Sequence, residues 1–140
     1  MPDPCPFCSI AAHRADAEIV YEDTDVVAFM DARPIRPGHV LVIPRVHEPS
    51  IFDVAFPVYS RVFETARTYA RAIQRAFFPK RVGIVVAGFD VAHAHVHVIP
   101  MAEHHDVTSR AILDGTLVAA TPAELRATAA QITHALNAEP

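Results

Sequence analysis

Three histidines alternate with small apolar residues late in the chain, at His93, His95 and His97. Because alternate side chains of a β-strand point to the same face of a sheet, this spacing predicts a row of three imidazoles on one face. Such a row can perform two kinds of chemistry. The histidines can hold a zinc ion that acidifies a bound water, or one neutral imidazole can attack an electrophile while its neighbours orient it. The strand alone does not decide between them.

A pair of cysteines adds a second set of candidate ligands. Cys5 and Cys8 are the only two cysteines of the chain and stand at a Cys-x-x-Cys spacing. In a reducing compartment this spacing favours a metal-binding or redox pair over a structural disulfide. The other ligands of such a metal must come from elsewhere in the chain, which contains nine histidines.

Five strands are expected to position these residues, because short segments rich in β-branched and aromatic residues lie between turn signals. The predicted strands are Glu18–Tyr21, Val26–Phe29, His39–Ile43, Gly83–Ala87 and Val91–Pro100. The first two are typical of a hairpin. The tight turn Gly88-Phe89-Asp90 predicts that the last two pair antiparallel.

Two helices complete the predicted fold. From about Asp53 to Phe78 the apolar positions recur at helical spacing, with arginines on the other side, which indicates one long amphipathic helix. Thr121-Pro122-Ala123-Glu124 resembles a capping box that opens a terminal helix to about Leu136. The order of strands, long helix, strands and terminal helix predicts an α+β fold with a mainly antiparallel sheet, in a single domain over residues 1–140.

The composition narrows the classes of partner. A chain of 140 residues that is 51% hydrophobic can fill a core without disulfides. Its net charge of −4 gives no general attraction to nucleic acid or to an anionic membrane, so any phosphate must be held locally. The sequence shows no signal-peptide pattern and no apolar run of about 18 residues. We therefore expect a cytoplasmic protein with no nucleic-acid or membrane partner.

Residues 93 to 99 read His-Ala-His-Val-His-Val-Ile and match at every position the pattern His-φ-His-φ-His-φ-φ, where φ is apolar. On this motif the chain resembles the histidine triad (HIT) family of nucleotide hydrolases and transferases. Four upstream segments also look like family segments, in family order: Cys5–Cys8, Val20–Asp23, Ala28–Asp31 and Gly38–His47. The resemblance implies a homodimer in which both subunits contribute strands to one continuous antiparallel sheet, with a nucleotide site in each.

The resemblance also implies a mechanism. His95 attacks the α-phosphorus of a purine nucleotide, which is a dinucleoside polyphosphate or a nucleoside phosphoramidate, and water then releases the monophosphate from a covalent nucleotidyl-histidine. An imidazole is an unprotonated nucleophile near neutral pH and leaves readily from phosphorus, so splitting the displacement lowers each barrier. His97 is implied to bind a phosphate oxygen or to assist proton transfer to the leaving group. His39 is implied to complete the ring network that fixes the tautomer of His95.

For the nucleoside, the resemblance assigns Asp31 to both ribose hydroxyls, and Phe7 and Phe29 to the apolar walls of the base slot. Without the resemblance, Asp31 is more typical of a turn and the two phenylalanines of a core.

The loop before the triad departs from many family members. It is short and has no asparagine, and Asp90 stands where a residue with a hydroxyl is expected. A carboxylate there repels phosphate unless it points away or is protonated. Backbone N–H groups around Gly88 and Phe89 are therefore expected to hold the phosphate, and the shortened loop puts the substrate in doubt.

A structural zinc ion is implied as well. Family members with a cysteine pair resemble galactose-1-phosphate uridylyltransferase in placing zinc on two cysteines, a downstream histidine and the first histidine of the triad. Here those ligands are Cys5, Cys8, His47 and His93. A Cys₂His₂ set has no open position, so this zinc stiffens the site without activating water. Unliganded thiols are the alternative, and His104 and His105 are alternative ligands.

Two other functions stay open on the residues alone. One is a purine-nucleotide-binding regulatory module in which the altered phosphate loop has left little or no catalysis. The other is a zinc hydrolase that uses the triad as open metal ligands. Binding without turnover distinguishes the first, and activity that depends on the metal without a covalent intermediate distinguishes the second.

Overall fold

The computed structural model describes residues 5–108 and 117–138, which contain three α-helices and five β-strands. The helices are α1 (Pro6–Ala11), α2 (Val58–Phe77) and α3 (Pro122–Asn137). The strands are β1 (Ile19–Glu22), β2 (Val26–Met30), β3 (Val40–Pro44), β4 (Arg81–Val85) and β5 (Val96–Met101). The α+β fold predicted from the sequence is confirmed.

The strands form one sheet in the order β1-β2-β3-β5-β4, and every neighbouring pair is antiparallel. β5 carries His97 and pairs with β3, so that His97 lies opposite Leu41. His39 directly precedes β3 and therefore lies beside the triad segment. Since β3 and β5 each have a neighbouring strand on both sides, they give the histidines a rigid support.

One face of the sheet is covered by α2 and α3. Alternate residues of the central strands point to this face and pack against both helices in the main core, as their spacing dictates. This core includes Val26, Val42, Ala66, Ile73, Val96, Val98 and Ile132. Arg75 on α2 donates through Nε to the carbonyl of Ala135 on α3 at 3.2 Å. Among the helices of the described ranges, none combines the length and apolarity needed to cross a membrane.

The short helix α1 packs on the opposite face, and its helical structure was not predicted from the sequence. It begins after Cys5, whose Sγ accepts the backbone N–H of Cys8 at 3.3 Å, and has proline in its first turn. Its buried residues Phe7 and Ala11 join a second apolar cluster with Phe29 from β2. The two faces therefore differ: one holds the helical core, and the other holds α1 and the histidines.

The predicted strand Val91–Pro100 was too long. β5 begins at Val96, so only His97 of the three histidines lies within a regular strand. The physical reason is that residues 93 and 94 bond to the last residue of β3 and to the segment after it: His93 Nε2 lies 2.9 Å from the carbonyl oxygen of Pro44, and Ala94 N–H donates to the Glu48 carbonyl at 2.7 Å. Ala94, Val96 and Val98 nevertheless face the core as predicted.

Two other boundaries moved. β4 is Arg81–Val85 rather than residues 83–87, and its antiparallel pairing with β5 is confirmed with Val85 opposite His97. The connection is therefore longer than the predicted Gly88-Phe89-Asp90 turn. The long helix begins at Val58 rather than near Asp53. The predicted start lies in a separate 3₁₀ turn, Ile51–Asp53.

Candidate active site and metal centre

Cys5, Cys8, His47 and His93 converge on one point, as the resemblance implied. Their ligand atoms all lie within 4.8 Å of one another. Nδ1 of His93 is 3.3 Å from the Cys5 sulfur, 3.5 Å from the Cys8 sulfur and 3.3 Å from Nδ1 of His47. Nδ1 of His47 is 3.3 Å from the Cys8 sulfur. The two cysteines are not joined in a disulfide.

These distances fit a zinc ion. A tetrahedron with zinc bonds of about 2.3 Å to sulfur and about 2.0 Å to nitrogen has edges of about 3.5 Å between nitrogen and sulfur, and about 3.3 Å between two nitrogens. The four donors are also of the type that zinc prefers. Because Nε2 of His93 donates to the Pro44 carbonyl, Nδ1 of the neutral ring carries a lone pair toward the cysteines.

The ring of His95 is oriented by the backbone of His93. Its Nδ1 lies 2.7 Å from the carbonyl oxygen of His93, and a carbonyl oxygen only accepts, so Nδ1 carries the proton. Nε2 of the neutral ring then carries the lone pair. The edge of the Phe7 ring packs against His95 with ring centroids 5.1 Å apart, which restricts rotation of the imidazole. His95 is therefore buried with a nucleophilic nitrogen in a fixed direction.

His39 and His97 form a directed hydrogen-bond chain. The backbone N–H of Ile35 donates to Nδ1 of His39 at 3.1 Å, so Nε2 of His39 carries the proton. That nitrogen lies 2.9 Å from Nδ1 of His97 and donates to it. The proton of the neutral His97 ring is consequently on Nε2, where it can be donated to a ligand. His39 therefore bonds His97 directly, while the hydrogen bond that orients the His95 ring is made to the carbonyl oxygen of His93.

Burial keeps both rings of this chain neutral. It lowers the pKa of His39 to about 3, with a further contribution from His97. Burial, followed by the neighbouring His95, lowers the pKa of His97 to about 4, against a smaller raising effect of Asp90. At neutral pH each imidazole therefore has one donor and one acceptor nitrogen, as the chain requires.

Asp31 lies at the end of the same chain. Its Oδ2 is 3.4 Å from Nε2 of His39 and 3.9 Å from Nδ1 of His97, and its Oδ1 accepts the backbone N–H of Arg33 at 2.8 Å. Burial raises the pKa of Asp31 to about 6, against the lowering effect of the Arg33 hydrogen bond and with a smaller raising contribution from the negative charge of Asp90. Carboxyl groups with raised pKa values cluster at functional sites, because partial burial disfavours their charged form.

Phe7 and Phe29 lie together in the second apolar cluster, with their rings edge to face at 5.4 Å. Three partly buried residues that pack against this cluster were not predicted as site residues: Ile10, Ile19 and Val91. The spacing of Phe7 and Ile10, one turn apart, is the signal that could have indicated a shared helix face once α1 was known.

The loop before the triad is exposed. Gly88 has φ +78 with open space around it, and the side chain of Phe89 is 95% exposed, so the structure does not bring the Phe89 ring to the other predicted residues. Asp90 is exposed and acts electrostatically on both Asp31 and His97. A negative charge therefore lies where phosphate was expected to bind.

The three triad rings do not converge on a metal. In the described residues the ligand clusters contain His93 or His97, but none contains two members of the triad. His93 points to the cysteines, His95 to a carbonyl oxygen and His97 to His39. The geometry thus argues against a zinc hydrolase that uses the triad as open ligands.

An antiparallel α+β domain whose three alternating histidines lie on the same side of the sheet as α1, each with a different hydrogen-bond partner, defines a class of small histidine-triad proteins. The family model described as the HIT domain matches residues 12–104. The chain belongs to the HIT domain family, whose members include proteins named as hydrolases and as nucleotide-binding proteins.

An uncharacterized HIT-like protein of Saccharolobus solfataricus is 35% identical over 69% of this chain and 73% of its own length. A HIT-like protein of Bartonella henselae, described as involved in cell-cycle regulation and crystallised with an unknown ligand, has a TM-score of 0.83 at 26% identity, covering 96% of this chain and 97% of that one. A zinc-bound histidine triad protein of Mycobacterium smegmatis has a TM-score of 0.75 at 25% identity, covering 96% and 94%.

A plant relative carries the name of a specific enzymatic activity. The adenylylsulfatase HINT3 of Arabidopsis thaliana is 28% identical over 71% of this chain, which spans about half of that relative, 53% of its length.

Proposed function

We propose that this chain is a nucleotidyl hydrolase or transferase that cleaves at the α-phosphate of a purine nucleotide through a covalent intermediate on His95. The substrates in view are dinucleoside polyphosphates and nucleoside phosphoramidates. The observation that carries the proposal is the hydrogen bond from Nδ1 of His95 to the carbonyl oxygen of His93, at 2.7 Å, because it leaves Nε2 as the nucleophile.

In the first step, the lone pair of His95 Nε2 forms a bond to the α-phosphorus. The bond from phosphorus to the leaving group breaks, and its electron pair stays with the leaving oxygen or nitrogen. Nε2–H of His97, whose position follows from the bond donated by His39, donates a hydrogen bond that stabilises the charge developing on the leaving group, and the leaving group takes its proton from solvent. The His93 carbonyl stabilises the positive charge that develops on the His95 ring.

In the second step, water attacks the same phosphorus. The bond between phosphorus and His95 breaks, its electron pair returns to Nε2, and the proton lost by the attacking water passes to solvent. The product is the nucleoside monophosphate, and both rings keep their starting protonation. Burial lowers the pKa of His97 and holds the ring neutral, so that its Nε2–H can bind a phosphate oxygen.

The nucleoside is held by Asp31 and by the apolar cluster. An ionised Asp31 accepts hydrogen bonds from both ribose hydroxyls, and the base lies against Phe7 and Phe29. Backbone N–H groups at Gly88 and Phe89 hold the phosphate, for which the open space at Gly88 leaves room. The proximity of Asp31 to the His39–His97 pair, at 3.4 and 3.9 Å, supports a single connected site.

Zinc completes the proposal as a structural ion held by Cys5, Cys8, His47 and His93. The distances among these donors and the zinc-bound relative from Mycobacterium smegmatis support it. A closed set of four ligands supplies rigidity and no activated water. It ties α1 to His93, whose carbonyl in turn orients His95.

A homodimer with one continuous sheet is also part of the proposal. β4 is an edge strand, and Ile84 on it and Val86 just after it are 47% and 40% exposed. An exposed edge with apolar residues is a ready surface for antiparallel pairing with a second copy. Light scattering after size exclusion should give twice the chain mass, and Ile84→Glu should shift it to the monomer mass. A monomeric wild type would contradict this part.

The central test is trapping of the intermediate. Wild type and His95→Ala are incubated with a labelled diadenosine polyphosphate and with an adenosine phosphoramidate, then quenched and analysed by intact mass. The wild type should gain one nucleotidyl group and release the monophosphate. His95→Ala should lose both, with kcat reduced at least about 10³-fold, because nothing replaces the nucleophile. Zinc content should stay equal in both proteins.

A purine-nucleotide-binding module is the second candidate function. It is favoured by the exposed Phe89 ring and by the charge of Asp90 near the phosphate position. Binding of AMP without turnover on a broad substrate panel, in zinc-loaded protein, would support the module and contradict the enzyme.

A further inference from the structure

The loop between β2 and β3 carries both Asp31 and His39, and one ion pair ties it to the end of β5. Nε of Arg36 donates to Oδ2 of Asp106 at 2.8 Å. Arg36 is at the middle of this loop, and Asp106 lies five residues after the end of β5. Neither residue was expected from the sequence to take part in the site.

Asp106 is a rigid anchor. Its Oδ2 also accepts the backbone N–H groups of Ala102 at 2.6 Å and Glu103 at 3.0 Å, and the residue is only 7% exposed. The hydrogen bond from Arg36 and those from the backbone lower the pKa of Asp106 to about 2, so the carboxylate is charged at neutral pH. Ala102 and Glu103 directly follow the strand that carries His97.

Arg36 lies between the two backbone groups that orient His39. The N–H of Ile35 donates to Nδ1 of the His39 ring at 3.1 Å, and the carbonyl of Arg36 accepts the backbone N–H of His39 at 3.2 Å. A shift of Arg36 therefore moves both groups at once. The Ile35 bond decides which nitrogen of His39 carries the proton. It therefore also decides whether an N–H or a lone pair of His39 faces Nδ1 of His97, 2.9 Å away.

We propose that Arg36 and Asp106 form a positioning pair that fixes the tautomer and direction of His39, and through it the proton-bearing nitrogen of His97. Neither residue contacts the reacting atoms. The pair joins the loop before β3 to the end of β5, so it fixes His39 and His97 with respect to each other. The predicted effect of the pair on turnover rests on the proposed function. Its predicted effect on the tautomers of His39 and His97 does not.

The chain offers a matched control. Asp23 lies in the turn between β1 and β2, and its Oδ2 accepts a hydrogen bond from Nη2 of Arg61 on α2 at 2.7 Å. Its Oδ1 accepts the backbone N–H groups of Asp25 and Val26 at 2.8 and 2.9 Å. Asp23→Asn and Asp106→Asn therefore each remove a carboxylate charge that faces an arginine. Only Asp106 connects to the loop of His39.

The test uses zinc-loaded protein with ¹⁵N-labelled histidine rings, at neutral pH and without substrate. In wild type, His39 and His97 should both give the signals of the Nε2–H tautomer, and His95 those of the Nδ1–H tautomer. In Asp106→Asn and in Arg36→Ala, the His39 and His97 signals should move toward a tautomer average while His95 stays unchanged. Arg36 is 40% exposed, so its truncation tests the pair even where the Asp106 variant folds poorly.

Turnover gives the second readout. Both variants should lower kcat about tenfold and change AMP affinity less than threefold, since Asp31 keeps its own backbone contacts. The double variant should be no worse than either single variant, because the two residues act as one unit. Asp23→Asn should leave the ring signals and kcat unchanged.

Unchanged ring signals in Arg36→Ala would overturn the proposal. The same signal changes in Asp23→Asn would also overturn it, since they would indicate general loosening. If wild type turns over no substrate, the ring signals still decide, so failure of the proposed function is distinguishable from failure of the positioning pair.

Discussion

Two histidine-containing clusters on one face of the sheet differ in where their protons lie. In the first, Cys5, Cys8, His47 and His93 turn their ligand atoms toward one another. In the second, Asp31, His39 and His97 are also within 4.8 Å of one another, but the N–H of one ring meets the lone pair of the next. Lone pairs that face each other require a cation, whereas a donor facing an acceptor does not.

The difference follows from the second nitrogen of each ring. His93 donates through Nε2 to the Pro44 carbonyl, which leaves Nδ1 as a ligand. His39 accepts the Ile35 N–H at Nδ1, which leaves Nε2 as a donor. The same residue type is thus a candidate metal ligand in one cluster and a hydrogen-bond donor in the other. We expect the first cluster to determine stability, and the second to determine binding and turnover.

The largest predicted effect is on zinc content and thermal stability, when one residue of the first cluster is replaced. Cys5→Ser should reduce zinc from one per chain to near zero and lower Tm on the order of 10 °C, because the binding free energy of a structural zinc contributes to folding. Elemental analysis and thermal unfolding measure the two effects. His104→Ala, in which an exposed histidine outside the cluster is removed, should keep the zinc and the Tm. Wild type purified without chelator that holds far less than one zinc would refute the metal centre.

The sequence predicted the elements with strong periodicity better than the site loop. The long helix and the strands over residues 26–29 and 39–43 lie close to their observed positions, because each has a clear apolar pattern. The strand before the triad was misplaced by two residues and the triad strand was too long. Their ends depend on tertiary bonds, such as that of Ala94 to Glu48, which no local pattern encodes.

The site shows the same division. The family motif allowed the zinc ligands to be predicted as one group, and the structure brings all four together. The hydrogen bond from His39 to His97 depends on the backbone N–H of Ile35, and the Arg36–Asp106 pair joins residues 70 positions apart. Neither contact has a signal in a single sequence, because ring tautomers and long-range ion pairs are decided only by the folded backbone.

The second predicted effect is that Asp31→Asn changes ligand binding and protein stability in opposite directions. Asp31→Asn should weaken AMP binding about 10- to 100-fold, because hydrogen bonds to a charged acceptor contribute about 1.5–3 kcal/mol. It should also stabilise the protein without ligand. Raising the pKa of Asp31 from 3.8 to about 6 means that ionisation in the folded state costs about 3 kcal/mol at 1.36 kcal/mol per unit.

The pH dependence of this gain follows from the raised pKa. The protonated acid stabilises wild type below about pH 4, and this contribution is lost as pH rises through about 6, so the advantage of Asp31→Asn should grow over that interval and then level off. Denaturant unfolding at several pH values measures it. Calorimetry with AMP and 2′-deoxy-AMP should show that wild type distinguishes the two and the variant does not. If both proteins distinguished AMP from 2′-deoxy-AMP equally well, Asp31 would not be a ligand of the ribose hydroxyls.

The smallest predicted effect concerns the charge of Asp90, which acts on both functional groups of the second cluster. Asp90→Asn removes a charge that raises the pKa of Asp31 and of His97. The variant should bind AMP about two- to fivefold more tightly at low salt, and the gain should shrink at about 0.5 M salt as screening weakens the repulsion of phosphate. Glu64→Gln changes the net charge equally from an exposed position on α2, at the other face of the sheet, and should leave AMP affinity unchanged. An equal gain from both variants would mean that only net charge matters, and no gain from Asp90→Asn would mean that its carboxylate does not act on the phosphate.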